Sequence, residues 1–250
     1  MPVNLFEFDR VGYRYSDGTE AIGEINFTCR AGENLAILGA NGSGKSTLLR
    51  LINGLIHPTS GTIRFQGREL TEASLKQPDF HQEFRQKVGF VFQNADAQLF
   101  NPTTREEIAF GPRQLGLAEP EVQARTSDVL SFLGIEHLAE RPPFRLSGGE
   151  KRKVAIASVL SMNPEVLILD EPFLGLDPRS QSWLIRTLNQ LQSAGKTTIV
   201  ATHSMPTVER VASMALVLDE DHALAALGPV SEILSDESLL FRTNLVERTP

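Results

Sequence analysis

Apolar and polar residues alternate near the start of the chain. Between residues 3 and 30, apolar positions such as Phe6, Phe8 and Phe27 are separated by polar ones. An alternation with a period of two is typical of strands that bury one face, and the polar residues 16–18 are typical of a turn. The sequence therefore predicts that the chain begins with short antiparallel strands.

Further along the chain, short apolar runs alternate with longer amphipathic segments. Strands are predicted at residues 35–38, 62–66, 88–92, 166–169, 197–201 and 215–218. Helices are predicted at residues 46–55, 148–162, 179–194 and 229–240. Residues 69–86 are polar and are predicted to be irregular. A nearly continuous apolar run indicates a strand covered on both faces, and strands that alternate with helices favour an α/β fold with a parallel sheet as its core.

Helical patterns dominate from about residue 95 to residue 144, and they are interrupted at Gly111-Pro112, Glu119-Pro120 and Arg141-Pro142-Pro143. This change of character predicts an inserted helical subdomain. The predicted division is a single domain over residues 3–240, with a core of about 3–94 and 163–228, a helical subdomain of about 95–162, and a C-terminal helix and tail over 229–250.

Composition narrows the class of protein. The 250 residues carry a formal net charge of -7 and 41% hydrophobic residues, which is typical of a globular chain and does not suggest a nucleic-acid binder. Cys29 is the only cysteine, so an internal disulfide is excluded. No window of about 18 residues is apolar throughout, and the N-terminal residues do not resemble a secretory signal. Any role at a membrane is therefore expected to depend on a partner.

The stretch GANGSGKST, residues 39–47, lies between a predicted buried strand and a predicted helix. It fits the pattern G-x-x-x-x-G-K-[ST], in which glycines let backbone N–H groups surround a phosphate at the start of the helix. Lys45 would then reach the β- and γ-phosphates, Ser46 would bind Mg²⁺, and Thr47 would donate to the α-phosphate. The candidate nucleotide-binding residues of this stretch are Gly39, Asn41, Gly42, Ser43, Gly44, Lys45, Ser46 and Thr47. ATP and Mg²⁺ are the predicted ligands, and a chance glycine-rich turn is the alternative.

Two acidic residues follow the apolar run 166–169. In a protein with a phosphate loop, an acid at the end of such a strand holds the Mg²⁺ shell. We predict this role for Asp170, and we predict that Glu171 is the general base that polarises the attacking water. Alone, the pair could be the solvated end of a strand, where acids are common.

A second glycine-rich motif, LSGGE at residues 146–150, precedes a predicted helix. By itself the motif is an ordinary capping box, in which Ser147 and Glu150 bind each other's backbone N–H groups. Its combination with GANGSGKST upstream and with VLILDE at residues 166–171 downstream is highly specific. On these three motifs the chain resembles the ATPase subunits of ABC transporters over nearly its whole length.

The resemblance implies a fold and a set of site residues. The implied fold is a P-loop NTPase core of the RecA-like type, with an N-terminal antiparallel β subdomain and an inserted helical subdomain. Tyr15 matches the aromatic residue that stacks on adenine, Gln93 the glutamine that contacts Mg²⁺ or the attacking water, and His203 the histidine that senses the γ-phosphate. Each of the three could instead have a structural role. The implied catalytic residues are Glu171, His203, Gln93 and Lys45, and the implied Mg²⁺ ligands are Ser46, Gln93 and Asp170.

The remaining matched residues imply a dimer. Ser147, Gly148 and Gly149 match the signature, which closes over the γ-phosphate held by the other protomer. Asp177 matches the D-loop, which crosses the interface. Two ATP molecules would then be sandwiched in a head-to-tail dimer that drives a transmembrane subunit. Because this chain carries every half-site residue, a homodimer would be complete, and a heterodimer with a similar ATPase remains open.

Residues 92–100, 106–112 and 115–117 resemble the energy-coupling-factor importers, close to the cobalt and nickel ATPase subunits. The implied partners are a transmembrane coupling subunit, whose helices enter a groove around residues 94–117, and a substrate-binding membrane subunit. The chain would then lie at the cytoplasmic face of the cell membrane. We expect Asp96 to meet basic ends of the coupling helices.

Four positions depart from the family pattern: Ala95 and Ala97 replace proline and aspartate, Phe173 replaces threonine, and Ser204 replaces aspartate. None of these changes removes a catalytic group. Biotin or another vitamin is the alternative substrate, because the ATPase does not touch the substrate in such importers. Outside transport, the alternatives are a soluble ABC ATPase acting on ribosomes or DNA and a cassette without activity. The net negative charge is evidence against an ATPase that acts on ribosomes or DNA. The intact site residues are evidence against a cassette without activity.

Overall fold

The computed structural model describes residues 3–246, which form ten strands and ten α-helices. The strands are β1 (Asn4–Arg14), β2 (Glu20–Arg30), β3 (Asn34–Leu38), β4 (Ser60–Phe65), β5 (Arg68–Glu69), β6 (Val88–Val91), β7 (Val166–Asp170), β8 (Thr197–Ala201), β9 (Met214–Leu218) and β10 (Leu224–Pro229). The helices are α1 (Lys45–Ile52), α2 (Glu72–Leu75), α3 (Pro78–Lys87), α4 (Thr104–Gln114), α5 (Glu119–Leu133), α6 (Gly148–Leu160), α7 (Pro178–Ser193), α8 (Met205–Val211), α9 (Val230–Ser235) and α10 (Glu237–Arg242).

The N-terminal strands form an antiparallel sheet in the order β2-β1-β4-β5. Its buried face is aromatic: Phe6 lies opposite Phe65, and Phe8 stacks on Phe27 with ring centroids 4.2 Å apart. The alternation of apolar and polar residues therefore predicted the antiparallel pairing correctly. The two strands are longer than expected, because β1 and β2 continue through irregularities of register to 11 residues each.

The second sheet has the order β10-β9-β3-β8-β7-β6. It is parallel from β9 to β6, and β10 is antiparallel at its edge. Asp170 at the end of β7 pairs with Ala201 at the end of β8, and Ala201 also faces Ile37 in β3. Because the carboxyl ends of parallel strands share one edge of the sheet, this register brings the loops after β3, β7 and β8 together.

Helices cover both faces of the parallel sheet. Ile168 and Leu169, which are neighbours on β7, belong to two different core clusters because successive side chains of a strand point to opposite faces. Leu48 of α1 packs in the cluster of Ile168, between the two sheets. Val154 of α6 and Leu184 of α7 pack in the cluster of Leu169. Helices α4 and α5 pack on α6, within the segment for which a helical subdomain is predicted.

Residues 69–86 differ from the prediction, because they contain α2 and α3 rather than irregular chain. Thr71 caps α2, and Phe84 of α3 packs edge-on against Phe65 with ring centroids 5.1 Å apart. The buried residues of α3 are Phe80 and Phe84. The helix is therefore stabilised by a tertiary aromatic contact that its polar sequence pattern does not show.

The C-terminal segment also differs from the prediction. The single helix predicted over residues 229–240 is two helices, because Asp236 leaves the helical conformation and its side chain accepts a hydrogen bond from the Leu239 N–H at 2.9 Å. The sequence pattern does not predict α8 or β10, which is only partly buried at the edge of its sheet. Residues 247–250 of the predicted tail lie outside the described residues. None of the helices within residues 3–246 is long and apolar enough to cross a bilayer.

Candidate functional site

The phosphate loop joins β3 to α1, and its backbone requires glycine. Gly44 has φ +104°, and a Cβ at this position would collide with the Ala21 carbonyl oxygen on β2. No side chain caps α1, so the first N–H groups of the helix can bind an anion. The Ser43 hydroxyl is buried without a hydrogen-bond partner among the described residues. Both observations fit a loop that binds phosphate.

Lys45 is buried at the base of this loop. Its Nζ donates hydrogen bonds to the carbonyl oxygens of Gly39 and Ala40 at 2.8 and 2.9 Å, and it lies 3.8 Å from Glu171 Oε1. Burial lowers the pKa of the Lys45 ammonium, and the carboxylates of Glu171 and Asp170 oppose this effect. A phosphate in the loop would therefore find the Lys45 Nζ already in position.

Ser46 and Asp170 form the candidate Mg²⁺ site. The Ser46 hydroxyl donates a hydrogen bond to Asp170 Oδ1 at 3.1 Å, which joins the phosphate loop directly to the end of β7. Burial raises the pKa of Asp170, the hydrogen bond from Ser46 opposes this effect, and the neighbouring Glu171 raises the pKa further. Hydroxyl and carboxylate oxygens are ligands that Mg²⁺ prefers, and a cation would offset the cost of burying the carboxylate. The donor set therefore fits Mg²⁺.

Glu171 follows β7 in an uncommon backbone conformation. Its φ is +43°, a region that residues other than glycine rarely occupy and that recurs at functional sites. The conformation is held because the Glu171 N–H donates to the Ala201 carbonyl at 2.9 Å. Glu171 Oε1 lies 2.9 Å from His203 Nδ1. Lys45, Glu171 and His203 thus form a continuous series of contacts across the loops after β3, β7 and β8.

These loops border one open pocket. Its lining residues are Asn41, Gly42, Gly44, Lys45, Ser46, Thr47, Gln93 and Glu171. Gln93 reaches the pocket from the end of β6, where it is exposed. Tyr15 lies beside the pocket, because its hydroxyl is 3.0 Å from Thr47 Oγ1, and its ring packs edge-on against Tyr13. The structure thus brings the residues of the phosphate loop, the acidic pair, Gln93, His203 and Tyr15 to one place.

The signature residues Ser147, Gly148 and Gly149 do not line this pocket in the described chain, and neither does Asp177. Ser147 caps α6, and Glu150 Oε2 accepts a hydrogen bond from the Ser147 N–H at 2.8 Å. This backbone hydrogen bond is the main reason why the pKa of Glu150 is lowered. The capping box that is the simpler interpretation of the motif is therefore present.

Asp177 caps α7 beside the signature. Its carboxylate accepts hydrogen bonds from the Ser180 hydroxyl at 2.6 Å and from backbone N–H groups of α7, which lowers the pKa of Asp177. A Cβ on Gly149 would lie 3.1 Å from Ser180 Oγ, so the start of α6 adjoins the start of α7. Ser147, Gly148, Gly149 and Asp177 thus lie on one surface of the chain, which is called the signature surface below.

Two of the four departures from the family pattern have a structural account. Phe173 is buried in the core cluster of α6 and α7 at 3% exposure, so it contributes packing and not chemistry. The Ser204 N–H donates to Thr202 Oγ1 at 3.1 Å, within the loop that carries His203. Asp96 Oδ1 lies 2.5 Å from Lys151 Nζ, and the Asp96 side chain is 67% exposed, so its contact with coupling helices stays a prediction.

The sequence analysis missed Arg152, which follows the signature on α6. The side chain is buried at 6% exposure, and its guanidinium donates hydrogen bonds to the carbonyl oxygens of Phe92 and Gln93. The signal in the sequence is the basic run at residues 151–153. That run does not show which of the three basic side chains turns inward.

The chain matches the family model described as ABC transporter over residues 22–174. It is 44% identical over 222 residues to the nickel import ATP-binding protein LarO of Lactiplantibacillus plantarum, which covers 89% of this chain and 92% of LarO. It is 41% identical over 241 residues to the energy-coupling factor transporter ATP-binding protein EcfA of Methanothermobacter thermautotrophicus, which covers 96% of this chain and 76% of EcfA.

Solved structures share the fold. CbiO1 of Clostridium perfringens, described as part of the ABC transporter complex CbiONQ, superimposes with a TM-score of 0.83 at 37% identity, over 97% of this chain and 95% of CbiO1. The ATP-binding cassette MJ0796, in a dimeric post-hydrolysis state with ADP and Pi, gives 0.81 at 27% identity, over 90% of this chain and 99% of the cassette. These similarities confirm the predicted fold class.

Proposed function

Because the chain belongs to the ABC transporter family, whose ATP-binding subunits hydrolyse ATP, we propose that it powers an energy-coupling-factor importer for nickel or cobalt ions. Identity of 41% to EcfA supports the class of importer, and identity of 44% to LarO supports nickel. The assignment of cobalt as a transported ion rests on the resemblance of the sequence to cobalt and nickel ATPase subunits. Biotin or another vitamin is the alternative substrate.

The observation that carries the proposal is the series of contacts from Lys45 through Glu171 to His203. In this proposal Lys45 binds the β- and γ-phosphates, and Glu171 accepts a proton from the water that attacks the γ-phosphate. His203 holds the Glu171 carboxylate and provides a hydrogen-bonding group for the γ-phosphate. Ser46 and Asp170 would hold Mg²⁺, which supplies positive charge to the phosphate oxygens when it is bound.

Gln93 and Tyr15 complete the proposed nucleotide site. Gln93 borders the same pocket as Lys45 and Glu171, so its amide is suited to contact Mg²⁺ or the attacking water. The ring of Tyr15 is only partly buried and lies next to the start of α1 through its contact with Thr47. It can therefore stack on the adenine of a nucleotide whose phosphates occupy the loop.

The exposed signature surface is the basis for proposing a head-to-tail dimer. Ser147, Gly148 and Asp177 are exposed, and none of them borders the pocket of the same chain within the described residues. A second protomer would place these groups over the γ-phosphate, where N–H groups at the start of α6 can stabilise negative charge. The dimeric state of the MJ0796 cassette supports this arrangement, in a homodimer or in a heterodimer with a similar ATPase.

A groove beside α3, α4 and α6 is the proposed docking site of the transmembrane subunit. Its volume is about 590 Å³, and the partly exposed rings of Phe92, Phe100 and Phe110 line it. Phe100 and Phe110 pack edge-on with ring centroids 5.0 Å apart. An exposed apolar patch of this kind marks an interaction surface. Docking there would hold the chain at the cytoplasmic face of the cell membrane, together with a substrate-binding membrane subunit.

Metal uptake by cells that make the chain together with its membrane subunits tests the proposal. Glu171→Gln keeps the size of the side chain but removes the proton acceptor, so uptake of radiolabelled Ni²⁺ or Co²⁺ should collapse. Glu165→Gln is a matched control, because Glu165 is exposed just before the same strand. Uptake that survives Glu171→Gln would contradict the role in transport. Wild-type cells that import neither metal would contradict the metal assignment and direct the test to biotin and other vitamins.

A further inference from the structure

Arg152 makes an unusual set of contacts for a buried arginine. Its two terminal nitrogens donate hydrogen bonds to the Phe92 carbonyl at 2.8 Å and to the Gln93 carbonyl at 2.6 Å. A side chain of this kind is seldom buried unless it is paired with an acid. Within the described residues Arg152 has no carboxylate at ion-pair distance, and the backbone carbonyls of Phe92 and Gln93 accept its hydrogen bonds instead. The planar fork of the guanidinium holds two successive peptide groups and so fixes their orientation.

Three side chains connect the segment that carries Gln93 to α6. The Lys151 ammonium contacts Asp96, and the Gln98 amide donates to the Ala155 carbonyl at 2.9 Å while its oxygen accepts from the Phe92 N–H. Arg152 makes the third contact and the only one of these to Gln93 itself. Residues 92–98 therefore form one unit with the helix that begins at the signature.

The side chain of Gln93 has no hydrogen-bond partner within residues 3–246, and it is exposed at the pocket. No contact fixes the amide itself, so the backbone at residue 93 sets which part of the pocket the side chain can reach. Arg152 holds that backbone through the Phe92 and Gln93 carbonyls. Burial lowers the pKa of Arg152, and the nearby Asp170 carboxylate opposes this effect.

We propose that Arg152 is a positioning residue for ATP hydrolysis: it ties Gln93 to the signature helix α6, so that the position of that helix decides whether the Gln93 amide reaches the nucleotide. The inference rests on the proposed function, because it requires that Gln93 acts on the attacking water or on Mg²⁺. In a head-to-tail dimer, closure of the signature surface of one chain on its partner's nucleotide would then also place Gln93 over its own nucleotide.

Steady-state ATP hydrolysis by the full chain tests this role. Arg152→Gln should lower kcat by about 10- to 100-fold, because a displacement of a positioned group by about 1 Å has an effect of this size. KM for ATP and the affinity for a fluorescent ATP analogue should stay within about twofold, because the phosphate loop is untouched. Arg152→Lys can still reach one carbonyl and should recover part of kcat. Lys153→Gln is the matched control, because Lys153 lies against the Trp183 ring and does not contact Gln93.

A double-mutant cycle with Gln93→Ala separates positioning from a merely structural role. If Arg152 acts through Gln93, then Arg152→Gln should cost little further activity in a chain that already carries Gln93→Ala. Should Arg152→Gln fail to fold, Arg152→Lys replaces it in the same cycle.

Three results would overturn the inference. The first is a kcat for the Arg152 variants that matches the wild type. The second is a fall in nucleotide affinity as large as the fall in kcat, and the third is additive losses in the cycle. A wild-type chain that does not hydrolyse ATP would instead overturn the proposed function as well, so the two failures are distinguishable.

Discussion

The two halves of the proposed ATP site are built differently within one chain. Lys45, Asp170 and Glu171 are 6%, 7% and 7% exposed, and each contacts another member of the site. Ser147 and Asp177 are exposed, and their side chains accept hydrogen bonds from the first turns of their own helices, α6 and α7. Contacts between elements distant in sequence hold the buried half together. Helix capping fixes the conformation of the exposed half, which is proposed to contact a second protomer.

Because of this difference, substitutions in the two halves should change the free energy of unfolding in different ways. Buried ionisable groups that are shifted from their ordinary pKa values cost folding free energy, and they cluster at functional sites. A capping residue stabilises its helix whether or not a nucleotide is present. Changes in the first half should therefore separate activity from stability, whereas changes in the second half should affect both.

The largest expected effect is the loss of activity in single variants and its recovery on mixing. Lys45→Ala removes the ammonium that is proposed to bind the phosphates, and Ser147→Arg fills the signature surface, so each variant should lose nearly all ATPase activity. A mixed head-to-tail dimer has one site with both defects and one site with neither. Equal amounts of the two chains should therefore recover about a quarter of wild-type activity if dimers form at random. Phosphate release measures this recovery.

The matched control for this experiment is Thr71→Arg, which alters the capping residue of α2 outside the site. Its activity should stay close to that of the wild type, because α2 contributes no group to the pocket. A mixture of Lys45→Ala and Ser147→Arg that stays inactive would break the comparison, because both halves of each site would then have to come from the same chain.

A smaller effect is expected within the buried half. His203→Ala should lower kcat by about 100-fold, because it removes the group that contacts the Glu171 carboxylate and that is proposed to contact the γ-phosphate. Nucleotide affinity should change little, because Lys45 keeps its contacts. ATP hydrolysis and binding of a fluorescent analogue measure the two quantities. His137→Ala is the control, because His137 is exposed on the turn after α5. An equal loss in both variants would refute the specific role of His203.

Asp170→Asn should stabilise the chain while it disables the site. Burial raises the pKa of Asp170 above its unfolded value, so ionisation of this carboxyl costs folded-state stability at neutral pH. The amide keeps the acceptor for Ser46 and should raise Tm by about 2–4 °C at pH 7, the shift that about 1 kcal/mol produces in a chain of this size. Thermal unfolding in buffer without Mg²⁺ measures it. The gain in Tm should fade as the pH falls to about 3.5, below the ordinary pKa of aspartate. The Asp170 carboxyl is then largely protonated in both the folded and the unfolded chain. An unchanged gain there would show that packing and not charge is responsible.

The smallest effect is expected in the exposed half. Glu150→Ala removes one side of the capping box of α6 and should lower the free energy of unfolding by about 0.5–1 kcal/mol. The hydrogen bond from the Ser147 N–H lowers the pKa of Glu150, so this contribution is present above the ordinary pKa of glutamate and is lost as the pH falls through the lowered value. Urea unfolding at two pH values measures both effects. Glu136→Ala, at an exposed position after α5, should show neither.

Much of the fold and of the site could be predicted from the sequence alone. The strands that carry the site are short apolar runs between polar segments, so their existence and burial follow from local pattern. The motifs at their ends then identified Lys45, Asp170 and Glu171, and the resemblance to ABC transporter ATPases identified His203. Local pattern failed where an element depends on few apolar residues, as in α3, whose stability comes from the contact between Phe84 and Phe65.

Only the tertiary structure decided which side chains meet. Ser46 and Asp170 are 124 positions apart, and the parallel register of β3, β7 and β8 brings them into contact. Among the three basic residues after the signature, Arg152 turns inward because the Phe92 and Gln93 carbonyls lie there to accept its hydrogen bonds. The physical reason is that hydrophobic periodicity reports which face of an element is buried. Hydrogen bonds between loops depend instead on how the elements are placed relative to one another.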